Sequence, residues 1–384
     1  MTPFTFSGHA QDVVFGTGKT DEIARVIGPF GWTRAMFVTS GSHIRSGNAG
    51  RAIAALGDLV VARFDAVQPH VQAEQVSEAL TLASEHEVDV IVGLGGGSVI
   101  GMAKALSDRL HEQRTGVLAR DANPLTGPVV PTVILPTTYA GSEMTSVYGV
   151  SGPVDGVRRK ITVSGRNIVP RVVIYDPSLT TEMPWQLTGT SAMNALAHCF
   201  EALYSAKRDP VSSASALRGI RAIGLTLPRL YNQGDDIEAR GDVLEGAFLA
   251  GSALAQVQMA IHHGVCHVLG GTAGVPHGVA NTIVLPHALR FNRDVAAAEL
   301  AEVAITLDLA TRQDDQLESA DRVIAWLDRL CRDLELPRRL GDYGVSEAQV
   351  PELARIAMDG GPVQANPRPV NSADEMETFI RAMI

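Results

Sequence analysis

The pattern of apolar and polar positions changes character near the middle of the chain. In the first half, short runs rich in β-branched residues alternate with amphipathic stretches. Residues 35–39, 59–64, 88–92, 132–135 and 172–175 read as strands. Each is four to six residues long and mostly apolar, as suits a strand buried on both faces. Helical periodicity occupies 48–57, 72–86 and 99–113 between the first four. Such alternation implies crossover connections and a largely parallel sheet. After Asp176-Pro177 the strand signals fade. Segments rich in Ala and Leu, with a period of three to four residues, cover 188–206, 211–231, 239–263, 297–311 and 316–333. The pattern predicts a Rossmann-like α/β domain over 1–177 and an all-helical domain over 178–384. A cleft between two such domains is the expected place for a ligand.

A length of 384 residues agrees with two domains. The formal net charge of −10 argues against nucleic acid and anionic membrane surfaces as partners, so an anionic substrate must be held by local positive groups. The three cysteines, Cys199, Cys266 and Cys331, are far apart and form no CxxC pair, the pattern of reduced thiols in a cytoplasmic protein. No secretory signal is expected from Met1-Thr2-Pro3-Phe4-Thr5, and no apolar stretch approaches the ~18 residues of a membrane span.

The first chemical candidate is Gly93-Leu94-Gly95-Gly96-Gly97-Ser98, which follows the 88–92 strand and opens a helix. Glycines at 95, 96 and 97 let backbone amides approach a phosphate, and a helix N-terminus adds partial positive charge. Ser98 is expected to cap that helix or donate to the same oxygen. The run is not the usual dinucleotide fingerprint: a GxGxxG frame begun at Gly93 ends on Ser98, and the run follows about the third strand instead of the first. A tight turn that binds nothing is the plain alternative. Thr137 and Thr138, in the hydroxyl-rich segment 136–143, fit the same cofactor. Ser40, within Thr39-Ser40-Gly41-Ser42, stands where an adenosine ribose would be read. That stretch carries no acid to repel a 2′-phosphate, and Arg45 is near in sequence, so either NADH or NADPH is expected.

The second candidate is a set of histidines. Asn194 and His198 are four apart on one helical face, as are His263 and His267; His262 is adjacent and His277 follows ten residues later. Five of the eleven histidines fall in this set, more than ordinary satisfied polar residues account for.

The glycine loop, Pro136-Thr137-Thr138, the Asn194/His198 pair and His263-x3-His267-x9-His277-Gly278 resemble the iron-containing alcohol dehydrogenase family over nearly the whole chain. The resemblance implies a nucleotide-binding α/β domain followed by a helical domain, of the dehydroquinate synthase-like architecture, and a homodimer. Carried over, a divalent metal would be held by Asn194, His198, His263 and His277, with His267 beside the nicotinamide and Lys160 near the cofactor. Two positions depart from the metal-dependent pattern: Asn194 and Gly101 stand where those members carry Asp. An amide oxygen is a weaker, neutral ligand for a divalent ion, so a metal is not expected to be required.

Residues 191–204, 137–145, 262–271 and Asn366-Pro367-Arg368-Pro369 look like the maleylacetate reductase branch, whose members reduce the carbon–carbon double bond of maleylacetate to 3-oxoadipate during aromatic-ring degradation. This implies a small dicarboxylate substrate. Arg368 and the triplet Arg158-Arg159-Lys160 are the candidate anchors, with His262 also placed at the substrate. His263, His267, His198, Asn194 and His277 are the expected catalytic set, and Tyr139 is the reserve proton donor. His277-Gly278-Val279-Ala280-Asn281 looks more like the alcohol dehydrogenases. A metal-dependent dehydrogenase acting on a small aldehyde or ketone is therefore the competing reading. A lyase of the dehydroquinate synthase type, with few lysines for its phosphate, and a non-catalytic nucleotide binder fit less well.

Overall fold

Each of the five expected strands forms, and three more join them. In the computed structural model the described residues are 4–123, 129–154 and 157–384, without the side chains of 153–160, so Arg158, Arg159 and Lys160 lie outside the described side chains. The chain divides into two compact units. One comprises Gly8–Met183 with Asp235–Leu244; the other comprises the chain up to Ser7, Pro184–Gly234 and Glu245–Ile384.

The first unit is built on β1 (Asp12–Phe15), β2 (Ala35–Val38), β3 (Val60–Phe64), β4 (Val90–Gly95), β5 (Thr132–Pro136), β6 (Val147–Val154), β7 (Val157–Ser164) and β8 (Val172–Tyr175). Its helices include α1 (Ile23–Ile27), α2 (Gly41–Arg45), α3 (Asn48–Leu56), α4 (Ala73–Glu85) and α5 (Gly97–Thr115). Six strands form a sheet in the order β1-β8-β5-β4-β2-β3, every pair parallel. Alternate side chains of β4 serve its two faces. Val90, Val92 and Leu94 pack with Phe37, Val133 and Ile174, while Ile91 packs with Met36, Ile100 and Ile134. Both faces are therefore buried, which explains the unbroken apolar runs in the sequence.

The strands missed by the sequence reading are β1 and the antiparallel pair β6–β7. Edge strand β1 leaves Val13 and Phe15 exposed, and β6 contains Gly149, Gly152 and Pro153, so neither shows the apolar run used to find the others. Counting β1 also corrects the place of the glycine loop, which follows the fourth strand and not the third.

The second unit is helical: α6 (Trp185–Tyr204), α7 (Pro210–Asn232), most of α8 (Ile237–Leu254), α9 (Ile261–Ala273), α10 (His277–Asn292), α11 (Ala297–Thr306), α12 (Gln316–Asp333), α13 (Val350–Met358), α14 (Gly361–Gln364) and α15 (Ala373–Arg381). Helix α6 packs on α7 and α10, and α9 packs on α10, α13 and α14 around Ile261, Val265, Leu269 and Met376.

The single helix expected over 239–263 breaks into α8 and α9. Ala260 is extended (φ −122°, ψ −151°), and the amides of Ala260 and His262 donate to Glu201 Oε1 at 3.1 and 3.0 Å. A carboxylate supplies the acceptor that a continuous helix would have provided, and it favours a new N-terminus there. That acceptor lies about sixty residues away in the chain, outside any local pattern.

Candidate functional site

Three of the expected cofactor segments meet at one end of the first unit's sheet. The connection from β2 leads outward to β3, and the chain then returns to the other side of β2 to form β4, so the strand order reverses between β2 and β4. Ligands of open parallel sheets bind beyond the strand ends at such a reversal. Val38 pairs with Gly93 and Gly95 with Pro136, which brings Ser40, Gly95–Ser98 and Thr137–Thr138 side by side. Thr39 Oγ1 donates to the Leu94 carbonyl at 2.8 Å, and the Thr137 amide donates to the Gly95 carbonyl at 3.2 Å.

The loop has the form of a phosphate cradle. Helix α5 runs for 19 residues, its N-cap is Gly96, and no side chain caps it. Its first amides have no intrahelical acceptors. A Cβ on Gly96 would stand 3.0 Å from Thr138 Cγ2, whereas one on Gly97 would meet nothing within 4 Å. Ser98 does not cap the helix. It lies inside the first turn, and its Oγ accepts the His70 amide at 3.1 Å, which leaves its own proton to donate. Ser40 Oγ lies 2.8 Å from Ser42 Oγ. One neighbour was missed: His43 Nε2 stands 3.2 Å from Thr137 Oγ1 and ties α2 to the end of β5. A histidine directly after Ser42 was the available clue. Gly101 has a packing reason, since a Cβ there would meet Val71 Cγ2 at 2.7 Å.

In the second unit, α6 carries Asn194 and His198, α9 carries His262, His263 and His267, and α10 begins at His277. The four histidines at 198, 263, 267 and 277 cluster. His198 stacks on His263 with centroids 4.6 Å apart and planes 13° apart; His263 lies 6.2 Å from His267 and 6.3 Å from His277; His267 stacks on His277 at 6.1 Å. Asn194, His198, His262 and His263 are buried, while His267 and His277 are exposed. Burial and the neighbouring imidazoles push His198 down to about 3 and His262 to about 4, and lower His263 as well. The buried rings are therefore neutral near pH 7.

Glu201, one helical turn beyond His198, organises this cluster and was missed in the sequence. It is completely buried, with Oε1 accepting two backbone amides and Oε2 lying 2.6 Å from His263 Nδ1. Burial raises its carboxyl well above the usual carboxylate range, against the opposing pull of the N–H groups that converge on it. The ring protons follow by elimination. His262 Nε2 lies 2.9 Å from the Asn281 carbonyl, which can only accept, so Nε2 carries the proton and Nδ1 is bare. With Glu201 ionised, His263 Nδ1, which lies 3.1 Å from that bare nitrogen and 2.6 Å from Oε2, carries its own proton and shares it with Glu201. His263 Nε2 is then a lone pair, and it has no hydrogen-bond partner among the described residues. The spacing of Asn194, His198 and Glu201 on one helix face was the available sign.

The carried-over metal set does not fit an ion in this arrangement. The ring nitrogens of His198, His263 and His277 do not form a group that converges within reach of one ion among the described residues. Asn194 supplies no charge. The cluster of His/Cys/Asp/Glu ligand atoms close enough for an ion, among the described residues, is Glu201, His262 and His263. Its 2.6 and 3.1 Å separations are hydrogen bonds; ligands around a tetrahedral ion stand roughly 3.4 Å apart.

Three expected site residues have partners within the fold. Tyr139 is completely buried, with its hydroxyl 3.4 Å from Arg240 Nη1. His262 is also completely buried, with its ring nitrogens at Asn281 and His263. Arg368 donates to the Phe291 carbonyl at 2.9 Å and to Glu375 at 2.8 Å, and lies over the Phe291 ring at 3.9 Å. Its charge is paired with Glu375 within the fold.

A family model described as "Iron-containing alcohol dehydrogenase" matches residues 10–177, and one described as "Fe-containing alcohol dehydrogenase family, C-terminal" matches residues 188–383. Maleylacetate reductase 1 of Cupriavidus pinatubonensis is 36% identical over 386 residues, covering 99% of this chain and 97% of the relative. A maleylacetate reductase of Burkholderia cepacia is 37% identical over 322 residues, covering 84% of this chain and 85% of the relative. The crystal structure of maleylacetate reductase from Agrobacterium tumefaciens superposes with a TM-score of 0.84 at 30% identity, covering 100% of this chain and 98% of that one.

Proposed function

We propose that this chain, which belongs to the iron-containing alcohol dehydrogenase family, is a maleylacetate reductase: an NAD(P)H-dependent oxidoreductase that reduces a conjugated carbon–carbon double bond in a small dicarboxylate. The observation that carries the substrate assignment is Asn194, in a histidine cluster without the ligand carboxylate, in a chain 36% identical to such a reductase over 99% of its length. Bound NADH or NADPH supplies the hydride. The glycine loop and the Thr137–Thr138 wall hold the pyrophosphate through backbone amides and hydroxyls.

Hydride addition to a conjugated alkene spreads negative charge into an enolate, whereas carbonyl reduction concentrates it on one oxygen. Hydrogen-bond donors suffice for a spread charge, and the buried side-chain amide of Asn194 is one. His263 presents only a lone pair at Nε2, so it accepts a proton or orders a water. The adjacent carbon must then be protonated, and we assign that step to the exposed His267. None of these steps passes through a metal, and we propose that none is required. Activity with maleylacetate should survive prolonged chelation. One tightly bound ion per subunit whose removal abolishes turnover would overturn this.

NADH oxidation followed with maleylacetate beside a panel of small aldehydes and ketones tests the substrate class; turnover confined to the carbonyl panel would establish the alcohol dehydrogenase reading instead. The nucleotide loop has its own test. Gly96→Val crowds Thr138 and the phosphate path, so the NADH Kd should rise at least ~10-fold. An unchanged Kd in the folded variant removes the loop from the cofactor site. We also propose a homodimer, supported by the exposed Val13 and Phe15 on edge strand β1, with solution mass as the check. No helix among the described residues is long and apolar enough to cross a membrane.

A further inference from the structure

The chain has only four lysines among its 32 basic residues, and one of them, Lys104, is completely buried in the middle of α5. Its Nζ donates to the carbonyls of Ser142, Thr145 and Val147 at 2.6, 2.7 and 3.0 Å, with Thr145 Oγ1 at 3.3 Å. An ammonium has three protons, and three carbonyls take them. A planar guanidinium could not converge on three such oxygens from one point, which accounts for lysine at this position in a chain that otherwise uses arginine.

The counter-charge is set back from the cage. Glu143 is completely buried, and its Oε1 accepts from the Tyr175 hydroxyl at 2.7 Å. Burial pushes Lys104 down to about 7, opposed by the field of Glu143. Without the ammonium each of the three inward-turned carbonyls would lose a hydrogen bond in a dry interior, although the Ser142 carbonyl also accepts from the Thr145 amide and hydroxyl at 3.1 and 2.9 Å.

The caged segment is continuous with the nucleotide wall. It leaves the glycine loop at Thr137, whose amide bonds the Gly95 carbonyl, and Thr138 lies against Gly96. It turns through Gly141 in the left-handed region (φ 75°), makes the short 3-10 turn Ser142–Met144, and ends on the Lys104 cage before β6. One end of the wall is thus fixed by the sheet, and at the other the Lys104 ammonium acts beside the Gln11 amide and the Tyr175 hydroxyl, which both hold Glu143.

We propose that the carbonyls of Ser142, Thr145 and Val147 form a monovalent-cation cage filled by the chain's own Lys104, and that this cage positions Thr137 and Thr138 for the nicotinamide cofactor. The cofactor half rests on the glycine-loop reading above. Lys104 is a positioning residue, since it acts through the backbone of 137–147.

The test is chemical rescue. Lys104→Ala removes the equivalent of propylammonium, and it should raise the NADH Kd at least ~10-fold while the KM for maleylacetate changes less than about 3-fold. Millimolar n-propylammonium, present during refolding, should restore most of the NADH affinity. Tetramethylammonium, which has no N–H donors, should not, and the wild-type protein should respond to neither. Lys104→Met, which fills the volume without a donor, should show the same loss without rescue. Wild-type NADH affinity in either variant overturns the proposal, as does a loss in Lys104→Ala that propylammonium leaves untouched. Failure of both variants to fold, even with propylammonium, makes Lys104 a stability element only and also overturns it. Gly96→Val separates the two readings: loss of NADH binding there, with none in the Lys104 variants, sinks the cage and spares the nucleotide loop.

Discussion

His267→Ala is expected to lower kcat by about 10²–10³-fold while leaving the KM for maleylacetate nearly unchanged, because it removes a proton donor used only in the transition state. The expectation follows from where protons can reside in the cluster. His263 carries its proton on Nδ1, pointed at Glu201, and has only a lone pair at Nε2. His198 and His262 are buried, and burial depresses them to about 3 and about 4, so neither holds a second proton near pH 7. The exposed rings are His267 and His277. His277 is the first residue of α10, whereas His267 lies within α9, one turn beyond His263. The proposed mechanism gives the donor role to His267, whose exposure lets it exchange protons with solvent. Its exposure also gives a check that a packing residue would not pass: added imidazole should recover part of the lost rate. A folded His267→Ala protein with near-wild-type kcat would move the donor role to His277 or to solvent, since Tyr139 is sealed in the interior.

The parts of this molecule legible in the sequence are those whose cause is local. The strands Ala35–Val38, Val90–Gly95 and Val172–Tyr175 announced themselves because both faces of the sheet are buried, so every side chain had to be apolar. The glycine loop was legible because it is a run of one residue type directly after a buried strand. Helix spacing likewise put His263 and His267 on one face of α9. What stayed hidden depended on partners distant in sequence. Strand β1 is half-exposed and finds its hydrogen bonds on β8, about 160 residues later. The break between α8 and α9 is set by a carboxylate on α6. Arg368 has the sequence features of a substrate anchor, and only the fold reveals that Glu375, Phe291 and a backbone carbonyl already occupy it. Lys104 and Glu201 share a lesson. A charged residue inside an otherwise apolar helical face has to be satisfied by something, and in both cases the partners are backbone groups that sequence patterns do not mark.

Glu201→Gln should be the most informative change in the histidine centre, with kcat reduced by at least ~10²-fold and the protein destabilised by about 1–3 kcal/mol. The carboxylate takes three N–H groups: the amides of Ala260 and His262 on Oε1 and the His263 ring on Oε2. A glutamine of the same shape has one oxygen and one NH₂. If its oxygen stays with the two amides, the NH₂ faces His263 Nδ1 and donates to it, which moves the ring proton to Nε2. The lone pair that His263 presents is then lost, and the bare Nδ1 of His263 faces the bare Nδ1 of His262 at 3.1 Å. If the amide flips instead, its NH₂ faces two backbone donors at the first turn of α9, and that start of the helix loses its acceptor. Either orientation leaves a buried polar group mismatched, which sets the stability cost. The two can be told apart by ¹⁵N spectra of the His263 ring. The first orientation predicts a switch of tautomer together with the rate loss, and the second predicts a lowered Tm with the tautomer retained. A Glu201→Gln protein with wild-type kcat, an unshifted His263 spectrum and an unchanged Tm would mean that the Glu201–His263 hydrogen bond neither sets the ring's proton nor starts the helix.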